Sequence, residues 1–314
     1  MTEPPSDPVS PGAVPPNAGF RCSRDSQERA ESQLGTASTV RSFLLVELSG
    51  PWGPEVFRSE RLTPRLRRHL QSATRVAGLR MLAIRRHGRT SGDRGTQVYV
   101  AHAWPQGSWL QTCSLSSPED LLDVDLAEVA AGGWSEARPH HAPLLAVCTH
   151  GRHDPCCAEQ GRPVAAALKR AHPELTWEVS HIGGDRFAGN LLVLPEGLYY
   201  GRLTPESAVE VAGAHLRGEL SLDHLRGRSG LAMPVQAAEV WLRRELGERR
   251  LDAVRVSSSR RDGAETSVRF GVGGSAYDVR VRTRTTPGDR QLTCRSSALS
   301  RAPEHELVGI DRVV

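Results

Sequence analysis

The order of predicted elements occurs twice along the chain, and this repeat constrains the fold more than any other feature. Apolar runs, helical spacings and turn residues predict strand, helix, strand, hairpin and helix over residues 43–131, and the same order over residues 144–216. Each copy would join two parallel strands by a crossover helix, followed by an antiparallel hairpin and a closing helix. We therefore expect an α/β protein of tandem thioredoxin-like units, with mixed sheets flanked by helices.

Short matching motifs support the duplication. Residues 105–109 and 195–199 share a Pro-x-Gly-x-aromatic pattern at the hairpin turn. Ser117 and Thr204 each precede Pro-Glu at the start of the closing helix, where Ser or Thr caps the helix and Pro occupies its first position. The two copies are therefore interpreted as diverged versions of one unit.

The remaining sequence frames these two copies. Residues 1–37 are rich in Pro, Ser, Gly and charged residues, which predicts a disordered leader. We assign residues 38–140 to a degenerate thioredoxin-like unit and residues 141–225 to the unit that carries the candidate site. Residues 226–314 alternate apolar and polar positions after one amphipathic helix, so we expect a C-terminal helix and a small antiparallel sheet there, which together form a small α+β region.

Composition excludes several classes of protein. Basic and acidic residues are interspersed, the net charge is only +4 and aromatics are 5%, which disfavours nucleic acid as a partner. No apolar run approaches the roughly 18 residues of a membrane span, so no membrane association is expected. Six cysteines are too sparse for a disulfide scaffold in a chain of 314 residues. A reducing cytoplasm is therefore the expected location.

Candidate ligands occur at one corner of the second copy only. Its opening strand ends at Cys148, and the following loop carries His150 and His153 before the Cys156-Cys157 pair. The next parallel strand ends at Ser180-His181, whereas the matching corner of the first copy reads Ser-Gly-Pro-Trp-Gly. Because parallel strands of one unit end on the same side of the sheet, two thiols and an imidazole should converge there. In a reducing compartment this pattern indicates metal or redox chemistry.

The start of the following helix decides which cysteine faces inward. Asp154-Pro155 suits an N-cap followed by the first helical position. In a helix from Pro155, Cys157 faces the sheet and Cys156 points about 100° away. Pro163 leaves an alternative, since the helix either kinks there or begins just before it, with the cysteines on a loop.

Two glycines follow the second strand. Gly183 and Gly184 allow close backbone approach to a bulky group such as a sulfide-bridged cluster. We therefore count both as candidate cofactor-binding residues.

These segments resemble the sucrase/ferredoxin-like family, which is related to the thioredoxin-like 2Fe-2S ferredoxins. The resemblance covers about residues 40–225 and is most specific over residues 148–157 and 180–190. It implies a 2Fe-2S cluster held by a pair of cysteines and a pair of histidines. Cys148 and Cys157 match the cysteine positions.

His181 matches the first histidine of that pattern, but the second histidine position is Asp185. A carboxylate is a harder and rarer cluster ligand than imidazole or thiolate. Three possibilities stay open: Asp185 ligates weakly, Cys156 or Cys22 replaces it, or no cluster binds.

The resemblance implies a 2Fe-2S protein that transfers electrons or senses redox state, with an unidentified redox donor or acceptor protein as partner, rather than an enzyme with its own substrate. One alternative is a metal-free thiol-disulfide protein that uses Cys156 and Cys157, although it lacks the Cys-x-x-Cys motif. Another is a structural zinc or plain binding module, in which the site only fastens the loop to the sheet.

Overall fold

The computed structural model describes residues 19–88 and 95–313. Within them lie a ten-stranded mixed sheet and a separate four-stranded antiparallel sheet. The α-helices are α1 (Cys22–Glu28), α2 (Pro64–Val76), α3 (Leu126–Ala130), α4 (Pro155–Ala171), α5 (Pro205–Leu216) and α6 (Met233–Leu246). The large sheet contains β1 (Ser42–Glu47), β2 (Leu79–Arg85), β3 (Thr96–His102), β4 (Trp109–Leu115), β5 (Arg138–Pro139), β6 (Leu144–Cys148), β7 (Thr176–Val179), β8 (Leu191–Leu194), β9 (Leu198–Tyr200) and β10 (Leu225–Arg228). The small sheet contains β11 (Val254–Asp262), β12 (Glu265–Val272), β13 (Ser275–Thr285) and β14 (Pro303–Val313).

The repeat is visible in the order of the strands, which is β10-β9-β8-β6-β7-β2-β1-β3-β4-β5. The first copy contributes β2-β1-β3-β4 and the second contributes β7-β6-β8-β9, each with one parallel pair and one antiparallel hairpin. The two copies meet where β2 pairs antiparallel with β7. The mixed α/β class is thus confirmed, with both copies in one continuous sheet, while their description as thioredoxin-like units stays a prediction.

Side chains of β6 alternate between two cores, as expected of a strand covered on both faces. Leu145 and Val147 pack in a core with residues of α4, α5 and α6. Ala146 and Cys148 pack on the opposite face, together with Cys157 and Ile182. The strand therefore delivers Cys148 to the face where the candidate site lies.

Helix α4 begins where the Asp-Pro signal predicts. The Asp154 side chain accepts a hydrogen bond from the Cys156 backbone N–H, and Pro155 takes the first helical position. The helix continues through Pro163, so the alternative of a loop-borne cysteine pair is wrong. The carbonyl that loses its helical partner belongs to Glu159, an exposed residue, so water can donate the missing hydrogen bond.

The N-terminal segment differs from the predicted leader. Residues 1–18 lie outside the described residues, but from Gly19 the segment is folded and contains α1. Cys22 and Leu34 are buried, and Glu31 pairs with Arg186 at 2.7 Å. Its few apolar residues and this ion pair fasten a segment whose composition alone predicts disorder.

The predicted helix over residues 118–131 is interrupted. A 3-10 turn spans Pro118–Leu122, and α3 starts only after Asp125. The Asp125 carboxylate accepts hydrogen bonds from the N–H groups of Ala127 and Glu128, so it caps a new helix instead of continuing the old turn.

The C-terminal region contains the expected helix and small sheet. Helix α6 packs its apolar residues against β12 and β13. No helix among the described residues is long and apolar enough to cross a bilayer.

A buried ion network holds α6 to β10. Glu239 is paired with Arg243 at 3.0 Å and with Arg228 at 3.5 Å. Burial alone would raise the pKa of Glu239, but the two guanidinium groups outweigh burial and hold that pKa below its ordinary value. The network therefore stabilises the fold above the ordinary glutamate pKa, and this contribution is lost as the pH falls through the lowered value.

We expect Glu239→Gln to lower the free energy of unfolding by roughly 3 kcal/mol near neutral pH, because two buried arginines lose their counter-ion. Urea unfolding at about pH 7 and about pH 4 measures the difference, which should shrink in acid. Glu245→Gln, on an exposed position of the same helix, is the matched control. A variant whose deficit is the same at both pH values would contradict this account.

We expect Gly161→Ala to lower the free energy of unfolding by about 3 kcal/mol, because a Cβ there would lie 2.0 Å from the Cys148 carbonyl oxygen. Gly213→Ala is the matched control, since its Cβ would meet its nearest neighbour at 3.4 Å and should stabilise α5 by about 0.5 kcal/mol. Equal effects of the two substitutions in chemical denaturation would show that close packing of α4 on β6 is unimportant.

Candidate metal centre

Three predicted ligands converge at the end of the second copy's parallel strands. Cys148 ends β6, Cys157 lies in the first turn of α4, and His181 follows β7. Their ligand atoms all lie within 4.8 Å of one another. Each cysteine is 1% exposed, whereas the His181 side chain is 25% exposed. The group thus has a buried sulfur side and a nitrogen side that reaches solvent.

Asp185 contacts two members of this group. It lies on the 3-10 turn Asp185–Phe187, and its Oδ1 is 2.9 Å from His181 Nδ1. The Cys157 thiol donates a hydrogen bond to the same oxygen at 3.0 Å. All four residues that the sequence proposes as ligands are therefore adjacent.

Charge in this group is shared among its members. The neighbouring Cys157 thiol and the His181 imidazole lower the pKa of Cys148 well below its ordinary value, while the pKa of Cys157 is raised by Cys148 and by burial. Burial alone would lower the pKa of His181, but Asp185 and Cys148 outweigh it and raise that pKa to about 9. The four side chains thus provide a thiolate, a thiol, a carboxylate and an imidazolium. A metal can displace the protons of the thiol and the imidazolium.

His150 positions the backbone of His181. Its Nδ1 accepts a hydrogen bond from the His181 N–H at 3.1 Å, and its Nε2 lies 2.6 Å from the Gly53 carbonyl oxygen. Nε2 must therefore carry the proton, and burial lowers the pKa of His150, which favours this neutral form. Gly53 belongs to the Ser-Gly-Pro-Trp-Gly loop, so the ligand-free corner of the first copy helps to orient a ligand of the second.

His153 is a further nitrogen donor beside the site. Its ring stacks on that of His181 with centroids 3.6 Å apart, and its Nε2 is 3.7 Å from Asp185 Oδ2. His153, His181 and Asp185 could together hold a metal ion. The sequence places His153 nearby but gives no reason to choose it as a ligand.

The structure gives the two glycines a different partner. Gly183 and Gly184 have φ values of +100° and +79°, and a Cβ on Gly184 would lie 2.2 Å from the Arg226 guanidinium. Arg226 donates hydrogen bonds to the Gly183 carbonyl at 2.9 Å and to Asn190 Oδ1 at 2.8 Å. Close approach to an arginine therefore explains Gly184, while Gly183 is explained by its positive φ alone, and the contact of either glycine with a cofactor stays a prediction.

Arg226 places a positive charge underneath the site. It is 1% exposed, and burial lowers its pKa only to about 10, so it is cationic at neutral pH. Its charge interacts with Asp185 and Cys148. The sequence carries no local signal for this residue, because it reaches the site from β10.

Cys22 and Cys156 belong elsewhere. Together with Asp154 and Cys294 they form a separate buried group. The orientation of Cys156 away from Cys157 agrees with helical geometry, whereas its use, or that of Cys22, in place of Asp185 is not supported. Cys294 is a residue that the sequence reasoning missed.

Comparison with known proteins agrees with the residue pattern. A family model described as sucrase/ferredoxin-like matches residues 33–227, which is more than half of the chain. "Altered inheritance of mitochondria protein 32" of the yeast Kluyveromyces lactis is 31% identical over 114 residues, covering 31% of this chain and 35% of that relative. The chain thus spans about a third of the length of this curated relative, and no solved structure gives a significant match. By the extent of the family match, the chain belongs to the sucrase/ferredoxin-like family.

Proposed function

We propose that this protein binds a 2Fe-2S cluster through Cys148, Cys157, His181 and Asp185, and that it transfers electrons or senses redox state. The observation that carries the proposal is the convergence of two thiols and an imidazole within 4.8 Å, at the corner where the family resemblance is most specific. Under this proposal each half of the large sheet is a thioredoxin-like unit, and only the second unit holds the cofactor.

The donor set fits such a cluster. Thiolate sulfur and imidazole nitrogen are the ligand types that iron-sulfur clusters use, and when bound the cluster supplies one-electron redox chemistry. Cys148 provides a thiolate already stabilised by its neighbours, while Cys157 and His181 give up protons on binding. Asp185 pairs with Cys157 and His181 in the metal-free protein. Once those two residues lose their protons, its carboxylate is free to act as the fourth ligand.

The surroundings favour negative charge at the site. Arg226 lies buried beneath it and remains cationic, which offsets the charge of the thiolates and the carboxylate. His150 holds the His181 backbone through a hydrogen bond of 3.1 Å. Mixed sulfur and nitrogen ligation should raise the reduction potential above that of an all-cysteine cluster.

A cavity of about 480 Å³ gives access to the histidine side of the site. Residues of both copies line it, including His153 and His181 from the second copy, and Phe57, Arg75 and Arg80 from the first. The sulfur side is buried, so this cavity is where we expect a redox donor or acceptor protein to approach. A reducing compartment such as the cytoplasm suits the six free cysteines.

The metal-free alternative with Cys156 and Cys157 as a redox pair has less support. Their sulfurs belong to two different buried groups, so they are not placed to exchange a disulfide with each other. The zinc alternative is distinguished from the cluster by the metal analysis described next, which shows whether the site holds iron or zinc.

Loss of any one of three ligands should remove most of the iron. We expect Cys148→Ser, Cys157→Ser and His181→Ala each to lower iron and sulfide per chain at least about tenfold, because each removes a donor atom. The measurement is iron and sulfide analysis with visible absorption after anaerobic purification. Cys113→Ser, which alters a half-buried cysteine outside both groups, is the matched control and should keep its iron.

A colourless protein without iron, even after reconstitution, would contradict the proposal. Unchanged iron in Cys157→Ser would show that the wrong cysteine was chosen. Zinc in place of iron, with no spectral change on reduction, would select a structural zinc site.

The fourth ligand can be identified by comparing Asp185 with His153. We expect Asp185→Ala to lose iron and His153→Ala to retain it, because only Asp185 contacts Cys157. We also expect Asp185→His to keep the cluster and to raise its reduction potential, since a neutral imidazole replaces an anionic carboxylate. Iron analysis and a spectroscopic redox titration measure these outcomes, and iron loss confined to His153→Ala would assign the position to His153 instead.

A further inference from the structure

A second group of thiols lies outside the site described above. Cys22 begins α1, Cys156 lies in the first turn of α4, and Cys294 lies between β13 and β14. The sulfur atoms of Cys156 and Cys294 are 3.4 Å apart, those of Cys22 and Cys294 are 3.5 Å apart, and those of Cys22 and Cys156 are 3.7 Å apart. Three distant segments of the chain thus bring three sulfurs into mutual contact.

Asp154 completes this group. It is fully buried, and its two oxygens lie 3.7 and 3.8 Å from the Cys22 sulfur. One oxygen accepts the Cys156 N–H at 2.9 Å and the other accepts the Cys294 N–H at 2.7 Å. Since each carboxylate oxygen has two lone pairs, one on each remains for a further partner.

We propose that Cys22, Cys156, Cys294 and Asp154 form a structural zinc site. Four thiolate and carboxylate ligands are a donor set that Zn²⁺ accepts in tetrahedral geometry. The three thiol protons are released to solvent when the metal binds. Zinc has no redox chemistry of its own, so this site is distinct in kind from the proposed cluster.

The distances between the three sulfur atoms suit one zinc ion better than a two-iron cluster. A tetrahedral zinc with Zn–S bonds of about 2.3 Å places its sulfur ligands about 3.8 Å apart. The three observed separations need to expand by only about 0.4 Å or less to reach that spacing. A two-iron cluster would divide its ligands between two metal atoms, which three sulfurs in mutual contact do not suit.

Burial supports a cation at the centre of the group. Cys22, Cys156 and Asp154 are each at most 1% exposed. Two backbone N–H groups already stabilise the buried Asp154 carboxylate, and a divalent cation would balance its charge together with that of the thiolates. The Cys22 N–H also donates a hydrogen bond to the Cys294 sulfur at 3.3 Å, a contact that stabilises the thiolate form.

The zinc would fasten α1 and the segment between β13 and β14 to the helix that carries Cys157. Cys22 and Cys294 lie outside residues 33–227, the part that the family model matches, whereas Cys156 lies within it. The site is therefore a property of this chain's flanking segments. Its expected role is to hold α1 and the segment before β14 against the first turn of α4.

Zinc affinity tests the proposal directly. We would use the double variant Cys148→Ser/His181→Ala as the background, because it disrupts both candidate metal-binding groups of the first site, and titrate Zn²⁺ against a chromophoric chelator. The background protein should bind one zinc ion, and Co²⁺ should give the absorption bands of tetrahedral thiolate coordination. Adding Cys294→Ser should weaken zinc binding at least about a hundredfold, whereas adding Cys113→Ser should leave it unchanged.

Metal analysis of the iron-loaded protein provides a second measurement that does not depend on the folding of a multiple variant. Cys294→Ser should lose zinc and keep iron, while Cys148→Ser should lose iron and keep zinc. The two variants thus test the zinc proposal and the iron proposal independently of each other.

Equal zinc affinity with and without Cys294 would overturn the zinc site. Absence of zinc and cobalt binding in the background protein, or thiol counting that reveals a disulfide among the three cysteines in fully reduced buffer, would also overturn it. Loss of iron and sulfide in Cys294→Ser, with zinc retained, would place the cluster here instead.

Discussion

The first turn of helix α4 determines where the sulfur chemistry of this protein lies. Asp154 caps the helix and Pro155 fixes its start, so the next two residues point in directions about 100° apart. Cys157 therefore reaches Cys148 and Asp185, whereas Cys156 reaches Cys22 and Cys294. Gly161 makes this arrangement possible, because only a residue without a Cβ lets the helix approach the Cys148 carbonyl so closely. One helix start thus organises two buried groups of ligands.

The duplicated architecture supplies the support for one of these groups. The second copy carries the candidate ligands, and the corresponding corner of the first copy carries none. That corner contributes nevertheless, since its Gly53 carbonyl fixes the tautomer of His150, which in turn holds the His181 backbone. Residues of the first copy also line the cavity beside His181. The first copy, which carries no candidate ligands, thus helps to position a ligand of the second copy.

Much of the site could be predicted because its signals are local. Parallel strands that end together bring Cys148 and His181 to one corner, and the Asp-Pro signal places Cys157 in the first turn of a helix. Asp185 has no such local signal: it was expected only because it occupies the second histidine position of the family pattern, and residues 181–184 are not helical.

The parts that could not be predicted depend on long-range contacts. Cys294 meets Cys156 across 138 residues, and Arg226 meets Gly183 across 43. No pattern near either residue marks that partner. The fold of residues 19–37 was likewise hidden, because polar composition predicts disorder, whereas the docking depends on buried residues such as Cys22 and Leu34 and on ion pairs such as Glu31–Arg186. The interruption before α3 depends on a single capping residue, Asp125.

The central claim is that His181 binds iron beside two cysteines. Pulsed electron paramagnetic resonance of the anaerobically purified and chemically reduced protein tests it most directly, with histidine isotopically labelled at nitrogen. The account predicts a paramagnetic signal with hyperfine coupling to a histidine nitrogen that changes with the label. A signal without histidine coupling, or no signal in a protein that contains iron and sulfide, would contradict it.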